Sequence, residues 1–79
     1  MAKYDPLRAR LRMDGREVIS MTLRQIARLV GGLPRSASEY REWWANDGYH
    51  VQARAWQEAG YVVEAVNRSA VGTVRFRRR

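Results

Sequence analysis

Five polar side chains suited to reading nucleic-acid bases fall close together in the chain: Asn46, Asp47, His50, Gln52 and Arg54. In the major groove of duplex DNA, Arg pairs with guanine and Asn or Gln with adenine. Each presents two correctly spaced hydrogen-bonding atoms. On a helix starting near His50, positions 50 and 54 share a face and Gln52 lies nearer the opposite side. Gln52 and Arg54 are the strongest candidates as readers, since neither is needed for a turn. The alternative for the set is local structure. Asn46-Asp47-Gly48 is good turn chemistry, and Asp47 or His50 suits a helix cap.

A second set, Arg35, Ser36, Ser38 and Arg41, follows Gly31-Gly32-Leu33-Pro34. Hydroxyls and guanidiniums at the start of a helix suit a phosphate, although Ser36 also serves as an ordinary cap. A third set is Arg68, Arg75 and Arg77 near the C-terminus, with Arg77-Arg78-Arg79 as a run of cations. The tryptophans Trp43, Trp44 and Trp56 form a fourth. Each ring buries on the order of 200 Å², so core packing accounts for most of them, and an exposed one would stack on an unpaired base. Adjacent tryptophans on a helix point about 100° apart, so one of Trp43 and Trp44 belongs in the core and the other at its boundary.

Catalytic chemistry is poorly served. His50 is the only histidine, and its neighbour Asp47 could partner it in general-base work. Neither Ser36 nor Ser38 has a geometric claim on that pair. Cysteine is absent, which excludes disulfides and thiolate-held zinc or iron–sulfur sites. The expectation is a chain that is not an enzyme and holds no cofactor or metal.

Charge narrows the partner. The 79 residues carry 15 Lys and Arg against 8 Asp and Glu, net +7, and all but one of the cations are arginine. Such an excess favours a polyanion: nucleic acid, an anionic membrane or an acidic protein. An arginine fork suits phosphate and base edges better than an ammonium does, although a GC-rich coding sequence gives the same bias. The excess sits at the two ends of the sequence. Residues 61–79 hold five arginines against Glu64, whereas residues 35–60 are net −1. No apolar run approaches the roughly 20 residues of a membrane span, and no signal-peptide stretch opens the sequence, so a cytoplasmic site is expected, on the nucleoid if DNA is bound. A chain this short buries only about 60–65% of its unfolded surface, enough for one modest core. Its 46% hydrophobic content argues against disorder.

The elements that must position these residues follow from spacing. Asp5-Pro6 opens a helix with Asp5 as cap and Pro6 first inside, and Leu7 and Leu11 share its inner face. Asp14-Gly15 marks a turn. Glu17–Met21 is short and β-branched, a strand. Thr22 and Gln25 form a capping box for a helix carrying Leu23, Ile26, Ala27 and Val30, closed by Gly31-Gly32. Ser36 and Glu39 form a second box, for a helix running to about Ala45. A further helix spans about Val51 to Ala59, with Val51, Ala55 and Ala59 as its stripe and Gly60 as its C-terminal cap. Tyr61–Val66 and Thr73–Arg77 form a β-hairpin, with Val74 and Phe76 on one face and Arg75 and Arg77 on the other. The expected class is α+β, one domain over residues 1–79. Its order of helix, strand, helix, helix (possibly broken in two) and hairpin is winged-helix-like, with the first strand added to the hairpin.

The chain also resembles a known family. The segments Leu33-Pro34-Arg35-Ser36-Ala37, Trp43-Trp44-Ala45-Asn46-Asp47, His50-Val51-Gln52-Ala53-Arg54-Ala55-Trp56 and Ala59-Gly60-Tyr61 look like a small bacterial and phage domain of unknown function. So do Lys3-Tyr4-Asp5-Pro6-Leu7 and Val74-Arg75-Phe76. The resemblance implies a module found alone or joined to nuclease-type proteins, and hence a DNA-directed role, without catalytic residues to carry over. The expectation is non-catalytic binding of double-stranded DNA, with residues 36–59 approaching the major groove and the flanking arginines converging on phosphates. A protein-interaction module or inhibitor docking on an acidic partner, through an aromatic patch at Trp43, Trp44, Tyr49 and Trp56, is the rival. RNA binding ranks below both. Oligomeric state is not legible from these residues.

Overall fold

Leu7 and Leu11 lie one turn apart, and both are fully buried. They sit on helix α1 (Asp5–Asp14), which ends where Gly15 adopts the left-handed conformation (φ 69°) and donates its N–H to the Leu11 carbonyl. The computed structural model describes residues 2–79. Asp5 does not cap α1 as expected. Tyr4 holds the cap position and Asp5 is the first helical residue. The Asp5 carboxylate instead accepts the Ala2 N–H (3.1 Å) and pairs with Arg8 (3.1 Å).

Strand β1 (Val18–Thr22) leads directly into helix α2 (Leu23–Val30). Their junction is the expected capping box. Thr22 Oγ1 accepts the Gln25 N–H (3.0 Å), and Gln25 Oε1 accepts the Thr22 N–H (2.9 Å). Two N–H groups at the helix start are thereby satisfied reciprocally.

The second box does not form. Helix α3 (Ser36–Glu39) is a single turn without a side-chain cap, Tyr40 is extended, and Arg41–Trp44 is a 3₁₀ turn. The adjacent tryptophans account for the break. Trp44 is 2% exposed and its Nε1–H donates to the Ala37 carbonyl (2.8 Å). In an unbroken helix that carbonyl would accept the Arg41 N–H instead. Ser38 adds to the effect: its hydroxyl donates to the Arg35 carbonyl (2.9 Å), a local bond that competes with regular helix. Trp43 stays half-buried against Tyr4, as the angle between adjacent helical positions requires.

Helix α4 (Val51–Glu58) buries Gln52, Ala53, Ala55 and Trp56. Of the expected stripe, Ala55 is buried and Ala59 packs against the core, but Val51 turns outward, because the far larger Trp56 sets the buried face. Strands β2 (Tyr61–Asn67) and β3 (Thr73–Arg78) form the hairpin, and β1 pairs with β3, giving an antiparallel sheet of order β1-β3-β2. Ile19 lies opposite Phe76, and Met21 opposite Val74. These four point toward the helices, and Trp56 meets Phe76 at 6.0 Å between ring centroids. Arg75 and Arg77 occupy the opposite, outer face of the sheet. The register slips at Glu64, since Val63 faces Phe76 and Ala65 faces Arg75. The described residues thus form a small α+β domain of four α-helices and one three-stranded sheet.

Candidate nucleic-acid interface

The residues that most resemble base readers are taken up by the fold. Asn46 Oδ1 accepts both the Trp56 Nε1–H and the Val63 N–H (2.8 Å each), while its Nδ2 donates to the Val63 carbonyl (2.8 Å). This side-chain amide pairs with β2 as a neighbouring strand would. It also satisfies the indole of the fully buried Trp56. Gln52 is 7% exposed, and its Nε2 donates to the Trp43 carbonyl (3.2 Å). Both residues are therefore placed away from the base-reading role expected of them. The physical reason is shared: each satisfies a polar atom of a tryptophan packed in or against the core, Trp56 for Asn46 and Trp43 for Gln52.

Asp47 and His50 organise the start of α4. Asp47 Oδ1 accepts the N–H groups of Tyr49 (3.2 Å) and His50 (2.9 Å), and Oδ2 meets His50 Nδ1 at 2.5 Å. The backbone N–H of His50 above all, then its ring, holds the Asp47 carboxyl below the usual carboxylate range. Arg54 remains exposed but leans on Glu58 (3.6 Å), which also pairs with Arg8 (2.7 Å).

The outer sheet face carries a second group. The bulge sets Glu64 between Arg75 and Arg77, and its carboxylate pairs with both, Arg75 at 2.7 Å. Hydrogen bonding from Arg77, then the charge of both guanidiniums, lowers the Glu64 pKa. Arg54 stands two residues from Trp56 on α4, hence on the far side of that helix from the sheet. The structure does not bring Arg54 together with Arg75 and Arg77, so the expected convergence of all the arginines on one side is not found.

A third surface gathers cations that pair with nothing. Arg24 and Arg28 lie one turn apart on the exposed side of α2. Arg24 shares a shallow groove with Arg35 and Ser38, floored by Leu23, Ala27, Leu33, Pro34 and Ala37. The hairpin turn closes in beside it. The Leu23 N–H donates to the Gly72 carbonyl (2.9 Å), and a side chain at Gly72 would collide with Leu23. Arg68, from the same turn, donates to the Glu39 carbonyl (2.8 Å). Among the described residues, the guanidiniums of Arg24, Arg28 and Arg35 make neither an ion pair nor a hydrogen bond. Asp5, Asp14, Asp47, Glu58 and Glu64 all hold their cations elsewhere.

Of the phosphate candidates, Arg35, Ser38 and Arg68 belong to this surface. Ser36 is half-buried in the single turn of α3. Arg41 borders a different depression, with Glu42 and residues 63–66 of β2. Arg24 and Arg28 were not legible as site residues, because their helix reads as a core element. The signal available was their four-residue spacing, which places both on one face without an acid between them. The aromatic patch of the rival reading is largely interior: Trp44 and Trp56 are buried, while Tyr49 is exposed. Among the described residues, no helix is long and apolar enough to cross a membrane. Residues 4–79 match the model of a family described as "Domain of unknown function (DUF7662)". No curated protein and no solved structure matches the chain.

Proposed function

Given that the chain belongs to this family, whose description names no activity, we propose that it is a non-catalytic, winged-helix-like domain that binds double-stranded DNA. The observation that carries the reading is the unpaired cluster of Arg24, Arg28 and Arg35 beside the hairpin turn that bears Arg68. Three guanidiniums without carboxylate partners gain most from a polyanion, whose condensed counterions they release. The sheet order β1-β3-β2, with a hairpin beside the second helix, supports the winged-helix-like build. In this arrangement α2 and the start of α3 present one bank of cations to a phosphate backbone, and the hairpin turn presents the other. A regulator, or a module directing a nuclease to DNA, would use such a surface and would work in the cytoplasm on the nucleoid.

The test is fluorescence anisotropy with a short labelled duplex across a salt series. Four phosphate contacts give a log–log salt slope of about −3.6, or roughly 100-fold weaker binding at about 200 mM than at about 50 mM salt. Arg24→Ala and Arg35→Ala each weaken binding, whereas Arg54→Ala, already leaning on Glu58, leaves it nearly unchanged. Affinity that ignores salt, or that responds only to Arg54, overturns the proposal.

A further inference from the structure

We infer that the domain takes duplex DNA of any sequence, gripping the phosphate backbone without reading bases; this rests on the duplex-binding reading above. The chain holds five Asn and Gln side chains, the natural readers of adenine. Four of them are occupied within the fold. Asn46 is bound to Val63 and Trp56, Gln52 to the Trp43 carbonyl, Gln25 to the Thr22 N–H, and Asn67 to the Ser69 N–H. The fifth, Gln57, lies in the last turn of α4, beside Glu58 and away from the hairpin turn.

The elements that could enter a groove point the same way. Helix α3, next to the unpaired arginines, is one turn long and cannot fill a major groove. Helices α2 and α4 have the length, but α2 exposes Arg24, Gln25 and Arg28, with the Gln25 oxygen taken by the Thr22 N–H. Helix α4 exposes Val51, Arg54 and Glu58, an apolar residue and an ion pair. What remains for contact is arginine. Reading guanine requires an arginine whose fork is held at a fixed angle by a supporting acceptor. Arg24, Arg28 and Arg35 have no such acceptor. An unsupported, swivelling guanidinium matches a phosphate, which accepts hydrogen bonds from many directions and repeats along every sequence.

The experiment pairs site selection from a random duplex pool with anisotropy on two unrelated duplexes of equal length. The expected result is no enriched motif, affinities within about 3-fold of each other, and Arg24→Ala weakening both duplexes by the same factor. An enriched motif bound more than about 10-fold tighter than a scrambled duplex overturns the inference while leaving the duplex-binding reading intact. Failure to bind any duplex at low salt overturns both.

Discussion

At the scale of single residues, the polar side chains that invite a recognition role are holding the fold together. Asn46 is the clearest case, with three hydrogen bonds to β2 and to Trp56. Asn46→Ala leaves the Trp56 indole without its acceptor in the interior, so a loss of about 1–3 kcal/mol is expected from the shift of the urea midpoint. Asn46→Asp keeps the acceptor but loses the donor to the Val63 carbonyl, and it destabilises as well. The DNA affinity of Asn46→Ala, at a temperature where it is folded, stays at the parent value. Asp14 supplies a pH prediction. The Arg16 side chain, hydrogen-bonded at 2.6 Å, holds its carboxyl down at about 2. A carboxyl whose pKa is depressed by folding adds stability that is full above its unfolded pKa and lost as pH falls through the folded value. Stability is therefore expected to drop between about pH 4 and pH 2. Asp14→Asn flattens that part of the curve, as chemical denaturation at several pH values would record.

At the scale of elements, what was legible depended on whether the signal was local. The Thr22–Gln25 box, the Gly15 and Gly31 stops and the alternation of β3 need only neighbouring residues, and each is found where its spacing indicates. The helix expected from Ser36 to about Ala45 has equally good local chemistry, yet it breaks at Tyr40. The force that breaks it is tertiary: Trp44 must reach the space beside Trp56, and its indole takes the Ala37 carbonyl. No pattern within ten residues encodes that requirement. The same holds for Asn46, whose partner Val63, 17 residues on, is fixed only once β2 is in place. Trp44→Phe isolates the effect, since the smaller ring still fills most of the site but has no N–H to donate. It is expected to cost about 1–2 kcal/mol, read from the denaturant midpoint, through the unpaired Ala37 carbonyl and a small void. Loosening α3 in this way also frees Arg35, so DNA binding weakens modestly alongside stability.

At the scale of the molecule, the net charge was legible from composition, and its arrangement was not. Residues 35–60 sum to −1. Yet Asp47 and Glu58 are committed to His50, Arg8 and Arg54, which leaves Arg35 uncompensated beside Arg24. A second group of cations collects at the other end of β3. Arg78 donates to the Gly15 carbonyl (2.6 Å), Arg12 to the Glu58 carbonyl (3.0 Å), and Arg10 acts on Asp14. Strand β3 spans six residues between the two groups, about 17 Å in a molecule whose longest extent is 27 Å. Both ends raise the long-range attraction for a polyanion, but only arginines touching phosphate release counterions and set the salt slope. The two contributions separate by mutation. Arg24→Ala with Arg35→Ala should make the slope shallower by about 2, one for each lost contact. Arg10→Ala with Arg79→Ala removes the same charge from exposed, unpaired positions at the far end. That pair should weaken binding far less than the first and change the slope by much less than one. A slope that falls equally for both pairs would mean that the duplex lies along the whole length of the sheet, rather than across its hairpin end.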